Sequence, residues 1–221
     1  MTPDLEAALS RTVFVGLIAL ALVAAIVAGC GTPTPAEHGA QLFKTCAPCH
    51  GEQGQGNVTL RTPAIAGLPG WYLTLELTKF QQDIRGAHPD DLEGARMRPM
   101  ARTLYQKGDV EAVVGYVSKM KPVWVPPLMT GGNVAAGQQR YATVCIACHG
   151  ADGKGGQALG APPIAGQADW YLQAQLKKFK TGMRGAHPDD KSGSMMRAMS
   201  STLQDTLAMR DVVAYVKTLA H

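Results

Sequence analysis

Two pentapeptides in this 221-residue chain place a pair of thiols and an imidazole at fixed spacing: Cys46-Ala47-Pro48-Cys49-His50 and Cys145-Ile146-Ala147-Cys148-His149. Both read C-x-x-C-H, the attachment signature of c-type haem. Two cysteines three apart at a helix end reach the two vinyl groups of one porphyrin edge. The next residue then lies under the iron and offers an imidazole nitrogen. A thioredoxin-like redox pair would sit near a βαβ pattern, which is missing here, and needs no histidine in both copies. A zinc site would have to join cysteine pairs 99 residues apart. The expectation is two covalently bound haem c groups, on Cys46 and Cys49 and on Cys145 and Cys148, with His50 and His149 as proximal iron ligands.

Five methionines compete for the other axial position: Met97, Met100, Met195, Met196 and Met199. Met195 has Arg96 as its counterpart, so symmetry disfavours it. Met97 and Met196 follow Gly94 and Gly193 and are expected in a loop, free to point a thioether at iron. Met100 and Met199 stand four residues before Leu104 and Leu203, which suggests the start of a helix and a core role. His88 and His187, each in Ala-His-Pro-Asp-Asp, are a second choice that would give a lower potential. Arg85, Arg184, Arg98 and Arg197 are either forks for haem propionates or solvated loop residues. Trp71, Tyr72, Trp170 and Tyr171 are expected to pack on the porphyrins.

The elements that must hold these groups come in duplicate. Residues 46–120 match residues 145–219 at 34 of 75 positions without a gap. A period this long means two similar globular units, not a solenoid. Within a repeat the pattern is helix (Ala36–Cys46, Ala135–Cys145), a Gly- and Pro-rich loop, helix (Trp71–Gln82), loop, and a last helix (Asp109–Met120) capped by Asp109. Nothing alternates as a strand, so the fold class is all-α. The expected organisation is 1–29 export or anchor segment, 30–35 tether, 36–120 first domain, 121–134 linker crossing the surface, and 135–221 second domain. Lys177, Lys178 and Lys180 read as a solvated helix face.

Composition bounds the rest. With 46% hydrophobic and 17% charged residues the chain is globular, and a formal charge of +4 is too mild for a nucleic-acid binder. Thr12 to Gly29 is one uncharged apolar stretch behind Arg11, ending in Val27-Ala28-Gly29-Cys30. That ending resembles a bacterial lipobox, which makes Cys30 a lipid-anchor candidate; an uncleaved helical anchor and plain secretion are the alternatives. Each places the body of the protein on the periplasmic side, at the inner membrane if anchored.

With motifs, methionines and duplication together, residues 36 to 221 resemble diheme cytochromes c of the c-four type, built from two tandem class I cytochrome c domains. The resemblance implies that the carbonyls of Pro63 and Pro162 orient the proximal histidines and that the first methionine of each pair, Met97 and Met196, ligates iron. It implies a membrane-associated carrier of single electrons from a quinol-oxidising cytochrome bc complex to a terminal oxidase or reductase, and no catalysis of its own. The alternative is a diheme electron-transfer subunit of a dehydrogenase such as a flavocytochrome c. Catalysis at one haem, as in diheme peroxidases, is disfavoured because both repeats keep the same methionines.

Overall fold

The computed structural model describes residues 33–219, so Cys30 and the apolar stretch lie outside the described residues. The first repeat runs α1 (Pro35–His50), α2 (Gly70–Gln81), α3 (Leu92–Arg102) and α4 (Asp109–Val117). The second runs α5 (Val134–Arg140), a π turn (Tyr141–Cys145), α6 (Ile146–His149), α7 (Asp169–Lys180), α8 (Lys191–Ser201) and α9 (Thr206–Thr218). Among the described residues there is no strand, only isolated bridges at Asn57–Thr62 and Gly156–Ala161. None of their helices is long and apolar enough to cross a membrane.

Each repeat is built on a crossing of its first and last helices. Gly39 makes the crossing possible: a Cβ there would strike the Ala112 carbonyl of α4, and one on Gly137 would strike the Asp211 carbonyl of α9. Forcing even one methyl group into such a contact costs about 1–3 kcal/mol. Beside the crossing, Phe43 packs on Tyr116 and Tyr141 on Tyr215, with ring centroids 5.5 and 5.3 Å apart. Val113, Val114 and Val117 are buried as their spacing predicts, with Leu42, Cys46, Ile65, Leu73 and Leu77 packed against the cluster they form with Phe43. Tyr141, Met209, Val212 and Val216 make the corresponding cluster, contacted by Cys145, Ile164, Leu172 and Leu176.

The structure revises several sequence expectations. The first helix runs on through the haem motif to His50, and a π turn interrupts its twin. From Phe43 to Cys46 is three steps, whereas from Tyr141 to Cys145 is four. The extra residue is absorbed by the wider turn, in which the Ile146 amide bonds to the Tyr141 carbonyl. Asp109 is the first helical residue of α4 rather than its cap; its carboxylate accepts from the Gln106 amide (2.9 Å) and from His38 Nε2 (2.8 Å). In the second repeat Arg140 and Asp211 join the same two helices (3.0 Å).

The segment between repeats is fastened rather than free. Asp169 accepts from the amides of Leu128 and Met129 (2.7 and 2.6 Å), and Lys217 Nζ donates to the Val125 carbonyl (3.0 Å). Their counterparts in the first repeat are Gly70 and Ser118, so these anchors belong to the second copy alone. The lysine cluster is not a solvated face either. Lys178 is buried at the boundary between the repeats, and Lys180 donates to the Leu203 and Gln204 carbonyls; only Lys177 is exposed.

Candidate haem sites

His50 closes α1 and His149 closes α6, and both imidazoles are buried. Each Nδ1 faces a backbone carbonyl thirteen residues on: Pro63 at 2.9 Å and Pro162 at 3.0 Å. A carbonyl can only accept, so Nδ1 carries the proton and Nε2 keeps its lone pair for another partner. Burial lowers the pKa of both rings, the carbonyl bond opposing it, so both are neutral near pH 7.

The loop that delivers the proline carbonyl is built the same way twice. Gly56 N–H bonds to the His50 carbonyl (2.7 Å) and Gly155 N–H to that of His149 (2.8 Å). Ile65 and Ile164 then close the loop onto Gly54 and Gly153 (2.7 and 2.8 Å). In the first repeat Thr62 Oγ1 also donates to the Cys49 carbonyl; in the second, the Tyr141 hydroxyl donates to Gly150 (2.7 Å).

Cys46 and Cys145 are half-buried, Cys49 and Cys148 are exposed, and none of the four is in a disulfide. Burial, then the neighbouring Cys49, pushes the Cys46 thiol up; burial, then Cys148, takes Cys145 to about 11. A redox-active C-x-x-C pair needs the opposite, a depressed thiol. Among the described residues no three metal-ligating side chains of the His, Cys, Asp or Glu types gather, so a zinc site has no donor set there. The donors do fit haem c: two thiols at one helix end, followed by a neutral imidazole with its outer nitrogen tied back.

Met97 and Met196 lie elsewhere than expected. Met97 and Met100 are in α3, Met196 and Met199 in α8, so neither pair is in a loop. Gly94 and Gly193 are helical, and their role is close approach. A Cβ on Gly86 (φ +82°) would strike the Gly94 carbonyl carbon at 2.6 Å, and Gly185 meets Gly193 in the same way. Asp91 and Asp190 cap the helices by accepting from the Gly94 and Gly193 amides (2.9 and 3.0 Å). Along α3 the buried residues are Gly94 and Ala101, and along α8 they are Gly193 and Ser200. At 3.6 residues per turn, Met97 and Met196 lie about 50° from that stripe and Met100 and Met199 about 110°. Accordingly the first pair is half-buried, while Met100 and Met199 are 37% and 40% exposed, which contradicts a core role for them.

His88 and His187 are half-exposed turn residues whose Nδ1 atoms accept the amides of Asp90 and Asp189 (3.2 Å each). Arg85 and Arg184 are not solvated loop residues: both are drawn onto the Glu76 carboxylate, with Tyr72 and Tyr171 beside them. Arg98 pairs instead with Asp83.

A family model described as Cytochrome c matches this chain twice, over residues 36–121 and 134–220. The thiosulfate dehydrogenase electron acceptor of Thiomonas intermedia is 35% identical over 153 residues, which cover 65% of this chain and 66% of that protein. Among solved structures, thiosulfate dehydrogenase of Marichromatium purpuratum aligns with a TM-score of 0.66 at 28% identity, covering 82% of this chain and 40% of that one. Cytochrome c4 of Pseudomonas stutzeri aligns with a TM-score of 0.62 at 24% identity, covering 82% and 97%; that likeness concerns the fold.

Proposed function

The chain belongs to the cytochrome c family, with two such domains and covalently held haem c, and on that footing we propose that it carries single electrons between membrane-associated redox complexes. The observation that carries this reading is the twice-built unit of paired cysteines, buried histidine and proline carbonyl. When bound, the haems supply one-electron exchange at iron.

The chain's residues do the rest. Cys46, Cys49, Cys145 and Cys148 tether the two groups, and His50 and His149 offer Nε2 as proximal ligands. The hydrogen bonds to Pro63 and Pro162 hold each ring in one tautomer and one orientation, so a change of charge requires little movement. Met97 and Met196, the methionines nearer the buried stripe, would supply the second protein ligand to each iron. With two protein ligands to each iron, neither site would keep an open position, which suits a carrier rather than a catalyst. The N-terminal segment and Cys30 are proposed to keep the protein on the periplasmic side of the inner membrane, passing electrons to an oxidase or reductase. The relative described as a thiosulfate dehydrogenase electron acceptor supports a second reading of the donor, a dehydrogenase in place of a quinol-oxidising complex.

Redox titration of the membrane-extracted protein tests the reading. Two one-electron haem steps are expected, and carbon monoxide should leave the reduced spectrum unchanged. Carbon monoxide binding at either haem would replace the carrier by a catalytic site. Stopped-flow mixing of the oxidised protein with a reduced cytochrome bc complex, or with a dehydrogenase and its substrate, separates the two donors.

A further inference from the structure

The two repeats meet through side chains that are charged and yet buried. Lys79 of α2 reaches Asp190 at 2.6 Å, and Lys178 of α7 reaches Asp91 at 2.5 Å. These are one bridge made twice, in opposite directions, each ending on the residue that caps the partner repeat's helix. Between the two bridges the symmetry fails. Glu76, 8% exposed, receives Arg85 Nη1 and also Arg184 Nη2 at 2.8 Å. Its counterpart is Gln175, whose Oε1 accepts from Arg184 Nη1 (2.9 Å) and Arg85 Nη2 (3.3 Å).

The charges around this point do not cancel. Lys79 is balanced by Asp190, Lys178 by Asp91, and Glu93 by Arg61. The Tyr72 hydroxyl is neutral, pushed up to about 12 by burial and then by Glu76. Two guanidiniums and one carboxylate remain, a surplus of one positive charge, and Arg184 Nε is buried without a partner. The carboxylate is firmly ionised: burial would raise its pKa, but Arg184, Arg85 and Lys79 outweigh that and hold it at about 2.

We propose that Glu76 acts as a positioning residue for charge: with Arg85 and Arg184 it sets the electrostatic level of both redox centres, and the unfilled carboxylate position at Gln175 leaves that level high. The proposal rests on the electron-carrier reading. The geometry places the cluster between the sites. α2 turns Leu73 and Leu77 towards the cluster against which Cys46 also packs, and Glu76 towards the other repeat. α7 likewise turns Leu172 and Leu176 towards the cluster against which Cys145 packs, and Gln175 towards Arg85. Each haem motif is therefore about one helix diameter, ~10 Å, from the surplus charge. A buried charge at that range is screened little by salt, and a cation there disfavours the extra positive charge of an oxidised centre.

Three variants of the holoprotein test this by redox titration. Glu76→Gln raises the surplus and should raise both midpoint potentials; Gln175→Glu cancels it and should lower both. The exchange variant, carrying Glu76→Gln and Gln175→Glu together, restores the count and should return both potentials close to the starting values. Unmoved potentials, or shifts of one sign in both single variants, overturn the proposal and leave Glu76 a purely structural clamp. If Glu76→Gln does not fold, Gln175→Glu decides alone: a potential that fails to fall overturns it. A parent protein without two one-electron haem steps would instead refute the carrier reading, which keeps the two failures apart.

Discussion

Replacing Cys46 and Cys49 together with alanine is expected to halve the covalent haem, from two groups per chain to one, and to leave the group on Cys145 and Cys148 in place. Haemochrome analysis after acid–acetone extraction reads the stoichiometry directly. The effect should reach stability as well. Cys46 packs against the cluster of Phe43, Val113 and Val117, and the matched repeat is only 86 residues long. A core that small is marginal without a staple. Losing the tether should therefore give an early unfolding transition for the first repeat, separate from that of the second. The buried bridges between repeats sharpen the expectation, because Lys178 and Arg184 end on acids of the first repeat. Removing a partner from a buried ion pair costs about 3–5 kcal/mol, so the second repeat should lose stability too while keeping its haem. Two covalent haems in the variant, or none, would contradict the assignment of one pair to each group.

The chemistry of this chain was legible because it is local. Cysteine pairs and the following histidines are fixed by spacing, the prolines thirteen residues on are pointed out by the family resemblance, and duplication repeats each signal. Long-range relations were harder to read. Lys178 looked like one member of a solvated cluster because its partner, Asp91, is 87 residues away in the other repeat. A signal was available: Lys79, Lys178, Asp91 and Asp190 are all preserved between the copies, which a solvated face does not require. Gly94 ahead of Met97 suggests a loop, although a missing Cβ serves equally to bring two backbones together, as Gly86 and Gly94 do. The gapless match begins at Cys46, and that limit already marked the residue the π turn absorbs.

The second large effect is expected at the methionines. Met97→His and Met196→His should each remove half of the red charge-transfer band of the oxidised protein and lower one potential. Thioether sulfur favours reduced iron relative to imidazole, so each fall should be a sizeable part of the roughly 0.8 V that axial-ligand choice spans. Met100→Leu and Met199→Leu should leave the band intact, since both side chains point about 110° away from the buried stripe and are substantially exposed. The helical setting makes this a sharper test than a loop would. α3 and α8 are pinned by their capping aspartates and by the approach of Gly86 to Gly94 and of Gly185 to Gly193. A neighbouring methionine can take over only if the helix turns by about 60°, which those contacts oppose. Retention of the full band in Met97→His, with its loss in Met100→Leu, would mean that α3 binds haem in the turned register. The same substitutions in α8 would then be expected to move together, because both helices are seated by the same contacts.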